Sequence, residues 1–388
     1  MTSRPSQIDP ITLGARLKSA RETAGLTQNQ VADELGVART TVVAIEKGER
    51  RVKPAEIVAL GQLYGESVGR LVRPTALVPD MVLQFRRSHA RPTSDEESVE
   101  ATRLLQRLAA SYVELEGRLG LLLPTHYPPE YEIRRGRMAE QAEDLAQQIR
   151  HLLSVGPRSP LHDLERILES EVGLRIFTRP LSSKIAGAFA FHEALGACVV
   201  LNLLHPPTRR IWTLAHEFGH FLTSRHSVDV LRVDEASGED FADKFAASLL
   251  LPAAEMRRQF DHYQRAEGKF STRHLIYLAS AFGVSIEALT RRLETLRLLE
   301  SGTYEMLRAR GLNDTVVAEV TGTRGESRPR SPCRFNLLAA EAYSRGLLSE
   351  GQVASMLGID RVNARELLDE VCQVGLSEEL PGLGDDST

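Results

Sequence analysis

The run "WTLAHEFGHFL", residues 212–222, constrains this chain more than any other stretch. Leu214, Phe218, Phe221 and Leu222 recur at helical spacing, which predicts one amphipathic helix from Arg210 to Leu222. On that helix His216 and His220 stand four residues apart, so both imidazoles project from the same side, within reach of one ion. Neutral imidazole is a good zinc ligand. The pattern is HExxH, and its acid, Glu217, can take a proton from an attacking water and pass it to a leaving amine.

A catalytic zinc needs a third protein ligand and a vacant fourth position. Two candidates compete. His226 stands where a third histidine would complete an HExxHxxGxxH pattern, but Thr223 occupies the position that needs glycine. A β-branched residue strongly disfavours the positive φ that such a turn demands. The rival is "GEDFADKFAASLLLP", a second helix closed by Leu251-Pro252. Glu239 and Asp243 share one face of it, with Phe241, Phe245 and Leu249 on the neighbouring apolar side. Glu239 is the expected oxygen ligand and Asp240 the fallback. Asp243 is expected to accept the free N–H of a ligating histidine and so hold its tautomer.

The N-terminal segment has a different grammar. "LGARLKSARETAGL" aligns Leu13, Leu17, Ala20 and Ala24 on one stripe, and Thr27 opens a second helix with Gln28 and Gln30 in its first turn. Gly36 makes a tight turn into "VARTTVVAIEKG", the geometry of a helix-turn-helix whose second helix enters the major groove. Arg39, Thr40 and Thr41 would approach base edges, while Gln28, Lys47, Arg50, Arg51 and Lys53 suit phosphates. Charge supports this division. Residues 1–73 carry 11 Lys/Arg against 8 Asp/Glu, whereas the remainder carries 37 against 44. This first segment resembles the phage-repressor-like (Xre/Cro) regulators over residues 11–73.

A chain of 388 residues is too long for one ordinary core. We expect a helix-turn-helix domain over 1–75, a helical connector and linker over 76–136, a peptidase-like domain over 137–300 and a helical module over 301–388. "SDEESVEATRLLQRLAASYVELEGRL" predicts a long amphipathic helix, either packed on its own chain or forming a dimer seam, and the prolines of "PTHYPPEY" mark 124–136 as the linker. "RIFTRPL", "IAGAFAFHE" and "ACVVLNLL" read as three short strands, with Gly187–Phe191 as an edge to which an extended substrate could pair. "LASAFGVSIEALTRRL" imitates a helix-turn-helix around Gly283 but is expected to serve packing, and "RVNARELLDEV" after Gly358 carries acids that repel phosphate. The fold class is therefore mainly α with a small β-sheet: a five-helix DNA-binding domain, an α+β zincin-like domain and a helical C-terminal region.

"RRIWTLAHEFGHFL", followed by "EDFADKFAASLLLP" and preceded by "IAGAFAFHE…VVLN", resembles the ImmA/IrrE metallopeptidases from about 140 to 260. The resemblance implies His216 and His220 as ligands, Glu217 as acid/base and Glu239 as the third acid. It departs at Phe241, where the family often has Glu before the alanine. It implies Zn2+, with Mn2+ possible, and cleavage of a phage-type repressor under stress. The expected partners are an operator in double-stranded DNA, a protein substrate (this chain or a repressor) and a second copy in a homodimer. The alternative is a non-proteolytic regulator using the peptidase fold as sensor or dimer scaffold. Three scattered cysteines, no apolar run of membrane length and no signal-like N-terminus point to the cytoplasm.

Overall fold

A computed structural model describes residues 9–66, 68–72, 96–226, 229–232, 240–321 and 334–372. The chain divides into two compact units, Met1–Ser94 and Asp95–Thr388, each with its own apolar core.

The first unit comprises α1 (Pro10–Thr23), α2 (Gln28–Leu35), α3 (Arg39–Glu46), α4 (Pro54–Tyr64) and α5 (Val68–Val72). Thr27 and Gln30 form a reciprocal capping box that starts α2, and Gly36, at φ 63°, ends it. Leu13, Leu17, Val31, Val42, Ile45 and Leu60 are buried together, as the helical stripes require. Gly14 permits the crossing of α1 and α3. A Cβ there would lie 2.4 Å from the Ile45 carbonyl oxygen, so the two backbones touch. The buried Arg21 guanidinium pairs with Glu46 through Nε–Oε1 at 2.5 Å and Nη2–Oε2 at 3.1 Å, with each charge meeting its partner.

The second unit begins with α6 (Glu96–Leu119). Its apolar stripe, Leu105, Leu108, Tyr112 and Leu115, is buried within the unit. It packs against the sheet on one side and the C-terminal helices on the other, so α6 is a core element and not a free connector. Next come α7 (Met138–Leu152), the short α8 (Leu164–Ile167) with a π turn after it, and the strands β1 (Arg175–Arg179), β2 (Ile185–His192) and β3 (Gly196–Asn202). These are the three strands expected. A fourth, β4 (Asp229–Arg232), makes the sheet order β1-β3-β2-β4, with β1 parallel to β3 and the other pairs antiparallel. The expected edge at Gly187–Phe191 therefore belongs to an interior strand, with Gly187–Phe189 paired on both sides. β3 covers one side of it, and β4 the other through Gly187↔Leu231 and Ala188↔Val230.

The motif helix is α9 (Pro207–Thr223), followed after β4 by α10 (Asp240–Leu250). α11 (Ala253–Glu267), α12 (Thr272–Phe282), α13 (Ile286–Thr295), α14 (Thr303–Ala309) and α15 (Asp314–Thr321) continue the chain. Leu278, Phe282, Ile286, Leu289 and Leu293 join the same core as Phe218 and Phe245, the packing role expected for this helix pair.

The C-terminal α16 (Arg334–Ser344), α17 (Glu350–Leu357) and α18 (Arg361–Cys372) dock on α6. Their anchor is Glu116, buried on α6. It accepts from Arg175 of β1 at 2.6 Å, from Arg334 of α16 at 2.7 Å and from the Leu123 N–H at 2.8 Å. At the end of β1, Arg179 donates to the Leu357 carbonyl, the last of α17. The C-terminal module and the peptidase-like domain thus share one folded unit.

Residues 124–136, expected as a linker from their prolines, also pack. His126 N–H donates to the Val172 carbonyl at 3.0 Å, and the Tyr127 hydroxyl accepts from Ala197 N–H at 3.1 Å. A proline-rich segment lacks regular secondary structure, so its backbone groups pair with distant elements instead.

Candidate metal centre

Pro207 opens α9, where its missing N–H costs nothing. From Thr213 to Leu222 the helix is buried on nearly every side except at His220. His216 and Glu217 are fully buried, and His220 is half-buried. Few polar residues tolerate such a position without bound partners.

The neighbouring helix comes close because of Gly219. A Cβ at that position would lie 3.2 Å from both the Ala242 Cα and the Phe245 ring. This close crossing brings Asp243 to His216, with Nδ1 and Oδ1 2.8 Å apart. The second nitrogen of His216, Nε2, lies 3.0 Å from Nε2 of His220.

That arrangement tests the fit of a metal. With Nδ1–H of His216 donated to Asp243, Nε2 carries a lone pair, and it points at the matching nitrogen of His220. Two nitrogens bound at the usual 2.0–2.1 Å around a tetrahedral ion stand about 3.3 Å apart. The observed spacing is therefore close to what one shared cation requires. A carboxylate on the outer nitrogen is the partner that fixes a ligating imidazole.

Glu239, the expected third ligand, lies outside the described residues. It directly precedes Asp240, the first residue of α10, whose side chain is also outside them. Among the described residues no group of three or more His, Cys, Asp or Glu is placed to hold a metal ion. His226 is exposed, its ring edge-on to Phe191 at 5.3 Å. The helix stops before it, with Thr223 Oγ1 bonded back to the Gly219 carbonyl at 2.9 Å.

The far end of α10 is held by groups that sequence inspection passed over. Buried Arg150 of α7 donates to the Leu249 carbonyl at 2.6 Å and to the carbonyls of Gly156 and Ser159. Burial without a carboxylate lowers its pKa to about 10. Arg292 of α13 donates to the Leu251 carbonyl at 2.9 Å and pairs with Glu143, whose other oxygen caps Ala253 N–H at 2.9 Å. The signal was available: Arg150 follows Ala142 and Ala146 at four-residue spacing along the buried stripe of α7. Cys198 is buried in β3, where desolvation pushes its thiol up to about 12. Cys333 and the side chain of Cys372 lie outside the described residues.

In the first unit, Arg39 and Thr40 are exposed in the first turn of α3, while Thr41 is half-buried. Gln28 donates to Glu46 at 2.9 Å and accepts from Arg39 at 3.4 Å. Lys47 is exposed. Arg50 makes a bidentate pair with Glu56, at 3.0 and 2.8 Å, and its proximity holds the Glu56 carboxyl below its usual range.

Residues 169–294 match the peptidase family described as the IrrE N-terminal-like domain, and residues 12–73 match the family described as a helix-turn-helix domain. No curated protein matches the chain in sequence. Among solved structures, ComR from Streptococcus suis aligns at 12% identity over 95% of this chain and 95% of that one, with a TM-score of 0.17. The apo form of ComR from S. thermophilus aligns at 12% over 95% and 99%, with a TM-score of 0.16. The apo competence regulator ComR from Streptococcus vestibularis aligns at 13% over 95% and 100%, with a TM-score of 0.17. At that level of overlap the likeness carries no inference to this chain. A helix-turn-helix domain and an IrrE-like domain are joined in this one chain.

Proposed function

We propose that the chain is a DNA-binding transcriptional regulator whose IrrE-like domain is a zinc-dependent endopeptidase. Its substrate class is a regulatory protein, either a repressor or a copy of this chain. The observation that carries the reading is the pair of facing Nε2 atoms, 3.0 Å apart, with Asp243 on the outer nitrogen of His216.

His216 and His220 would hold the ion, with Glu239 as the third ligand; Mn2+ suits the same donors. When bound, the ion supplies Lewis acidity toward a peptide carbonyl and lowers the pKa of water. Glu217 takes a proton as a water oxygen adds to the carbonyl carbon. It then delivers that proton to the departing amine as the C–N bond breaks. Asp243 keeps His216 in the tautomer with Nε2 free, and stabilises its orientation. A folded helix does not fit such a cleft, so the scissile segment must be extended, and exposure of that segment by a stress-related signal would gate cleavage.

The first unit supports operator binding, with Arg39, Thr40 and Thr41 toward bases and Gln28 and Lys47 toward phosphates. A homodimer would read two half-sites about one helical turn apart. No helix among the described residues is long and apolar enough to cross a membrane. Operator binding would require the cytoplasm, where the DNA is.

Incubation of the purified full chain with zinc, followed by mass spectrometry of new N-termini, tests the enzyme. We expect cleavage by the wild type and its loss, by about 10²-fold or more, in Glu217→Gln with zinc content unchanged. Equal cleavage by Glu217→Gln refutes the mechanism. Intact chains under all conditions leave the scaffold role, with DNA binding the activity that survives.

A further inference from the structure

We infer that Tyr131, within the belt of residues 126–131, is the one positioning residue that holds the two metal-site helices in register. The inference rests on the metal reading of His216 and His220. A site whose two imidazoles stand on α9 and whose tautomer-fixing carboxylate, Asp243, stands on α10 works only if the helices are held within about 0.5 Å. Gly219 and Ala242 set how closely α9 and α10 approach at their crossing. A crossing point alone leaves α10 free to rock about it. The end that rocks furthest from Arg150 and Arg292 is the first turn, which leads to Asp243.

Tyr131 fastens that end. Its N–H donates to the Leu222 carbonyl at 2.6 Å, one of the C-terminal carbonyls that α9 cannot satisfy within itself. Its ring lies nearly parallel to Phe241, with centroids 5.9 Å apart and planes at 19°. Phe241 is the second residue of α10, two before Asp243. The Tyr131 hydroxyl reaches Gln141 Oε1 of α7 at 3.5 Å, and Gln141 is itself held by Arg134 N–H at 2.9 Å and the Gly136 carbonyl at 2.6 Å. One side chain therefore touches α10 and α7 while its own backbone grips α9.

The rest of the belt is anchored too. Glu130 accepts from Arg225 N–H at 3.1 Å, and the Arg225 guanidinium donates to the Pro128 carbonyl while lying over the Phe221 ring at 4.3 Å. Tyr127 packs edge-on to Phe221 and Phe191, and among the described residues its ring meets no aromatic ring of α10. This gives a control inside the same segment.

Zinc affinity of the full chain, measured against a chromophoric chelator, reads positioning without any need for turnover. We expect Tyr131→Ala to weaken zinc binding about 10- to 100-fold, the range for losing a residue that orients ligands. Tyr131→Phe should restore it to within about threefold, since the ring stack and backbone bond persist. Tyr127→Ala should leave zinc affinity near wild type. Should Tyr131→Ala fail to fold, Phe241→Leu removes the stack from the other side and should show the same weakening. If Tyr131→Ala, or Phe241→Leu in its place, binds zinc as tightly as the wild type, the inference falls and the metal reading stands. Equal weakening by Tyr127→Ala also overturns it, because loosening anywhere in the belt would then suffice. A wild type that binds no zinc overturns both.

Discussion

Three helix–glycine–helix segments in this chain share one local grammar and meet three different fates. α2 and α3 flank Gly36, α12 and α13 flank Gly283, and α17 and α18 flank Gly358. Each first helix opens with a capping box, at Thr27, Ser271 and Ser349, and each glycine sits near φ 65°. The second helices differ. α3 presents Arg39 and Thr40 outward, whereas α13 buries Ile286, Leu289, Thr290 and Leu293 in the core of the second unit. α18 exposes Arg361 and Val362, ties Arg365 to Glu350, and exposes the acids Glu366, Asp369 and Glu370. Caps and a left-handed glycine specify a tight helical corner. Whether that corner reads DNA depends on what its second helix buries and which charges it leaves outside.

Two stability measurements would test this contrast hardest. Glu116→Gln leaves Arg175 and Arg334 facing each other without their shared carboxylate, which should cost roughly 3 kcal/mol. Leu289→Ala removes a fully buried side chain of α13 and should cost about 2–5 kcal/mol. Denaturant melts of the full chain, with operator binding measured alongside, check both. We expect the transition of the second unit to move while operator binding by the first is retained. If Leu289→Ala leaves the melt unchanged and weakens DNA binding instead, the division of roles between the helix pairs is wrong.

What the sequence made legible was whatever local spacing controls. The HExxH helix, the three strands, the helix start at Thr27 and the tight turn at Gly36 all depend on residues within one or two turns of each other. The belt did not show itself, because prolines announce a break in regular structure and not where the backbone groups find partners. Those partners, Val172, Ala197 and Leu222, lie far along the chain. β4 escaped because "DVLR" is short and half charged, and without it Gly187–Phe191 looked like an edge. α6 read as a connector because an amphipathic stripe does not say which surface covers it. At the site, His216, Glu217, His220 and Asp243 could be singled out from spacing. The clamp by Arg150 and Arg292 left a fainter trace, since an arginine that serves backbone carbonyls shows no pattern beyond its place on a buried stripe.

A smaller effect addresses the first helix pair directly. Arg39→Ala with Thr41→Ala should weaken specific operator binding about 10- to 100-fold, roughly 1–3 kcal/mol for the pair, while non-specific binding changes little. The equivalent pair on α18, Arg361→Ala with Asn363→Ala, should leave operator affinity unchanged. Equal losses from both pairs would make the C-terminal corner a second reader, against the acids on its outer face.

The finest discrimination lies between two cations that look alike in the sequence. Lys47 and Arg50 both follow α3, and both suit phosphates by position. Lys47 is exposed, whereas the Arg50 fork is already matched to both oxygens of Glu56. A guanidinium bound bidentately to a carboxylate must release that partner before it can neutralise a phosphate, so its net gain on binding DNA is reduced. Counterion release makes the difference measurable, because each phosphate neutralised contributes about 0.9 to the slope of log affinity against log salt. Lys47→Ala should therefore lower that slope by about one and weaken binding to every sequence alike. Arg50→Ala should shift it by less than half as much. If Arg50→Ala produces the full loss, the Arg50–Glu56 pair opens on DNA and Arg50 belongs with the phosphate contacts.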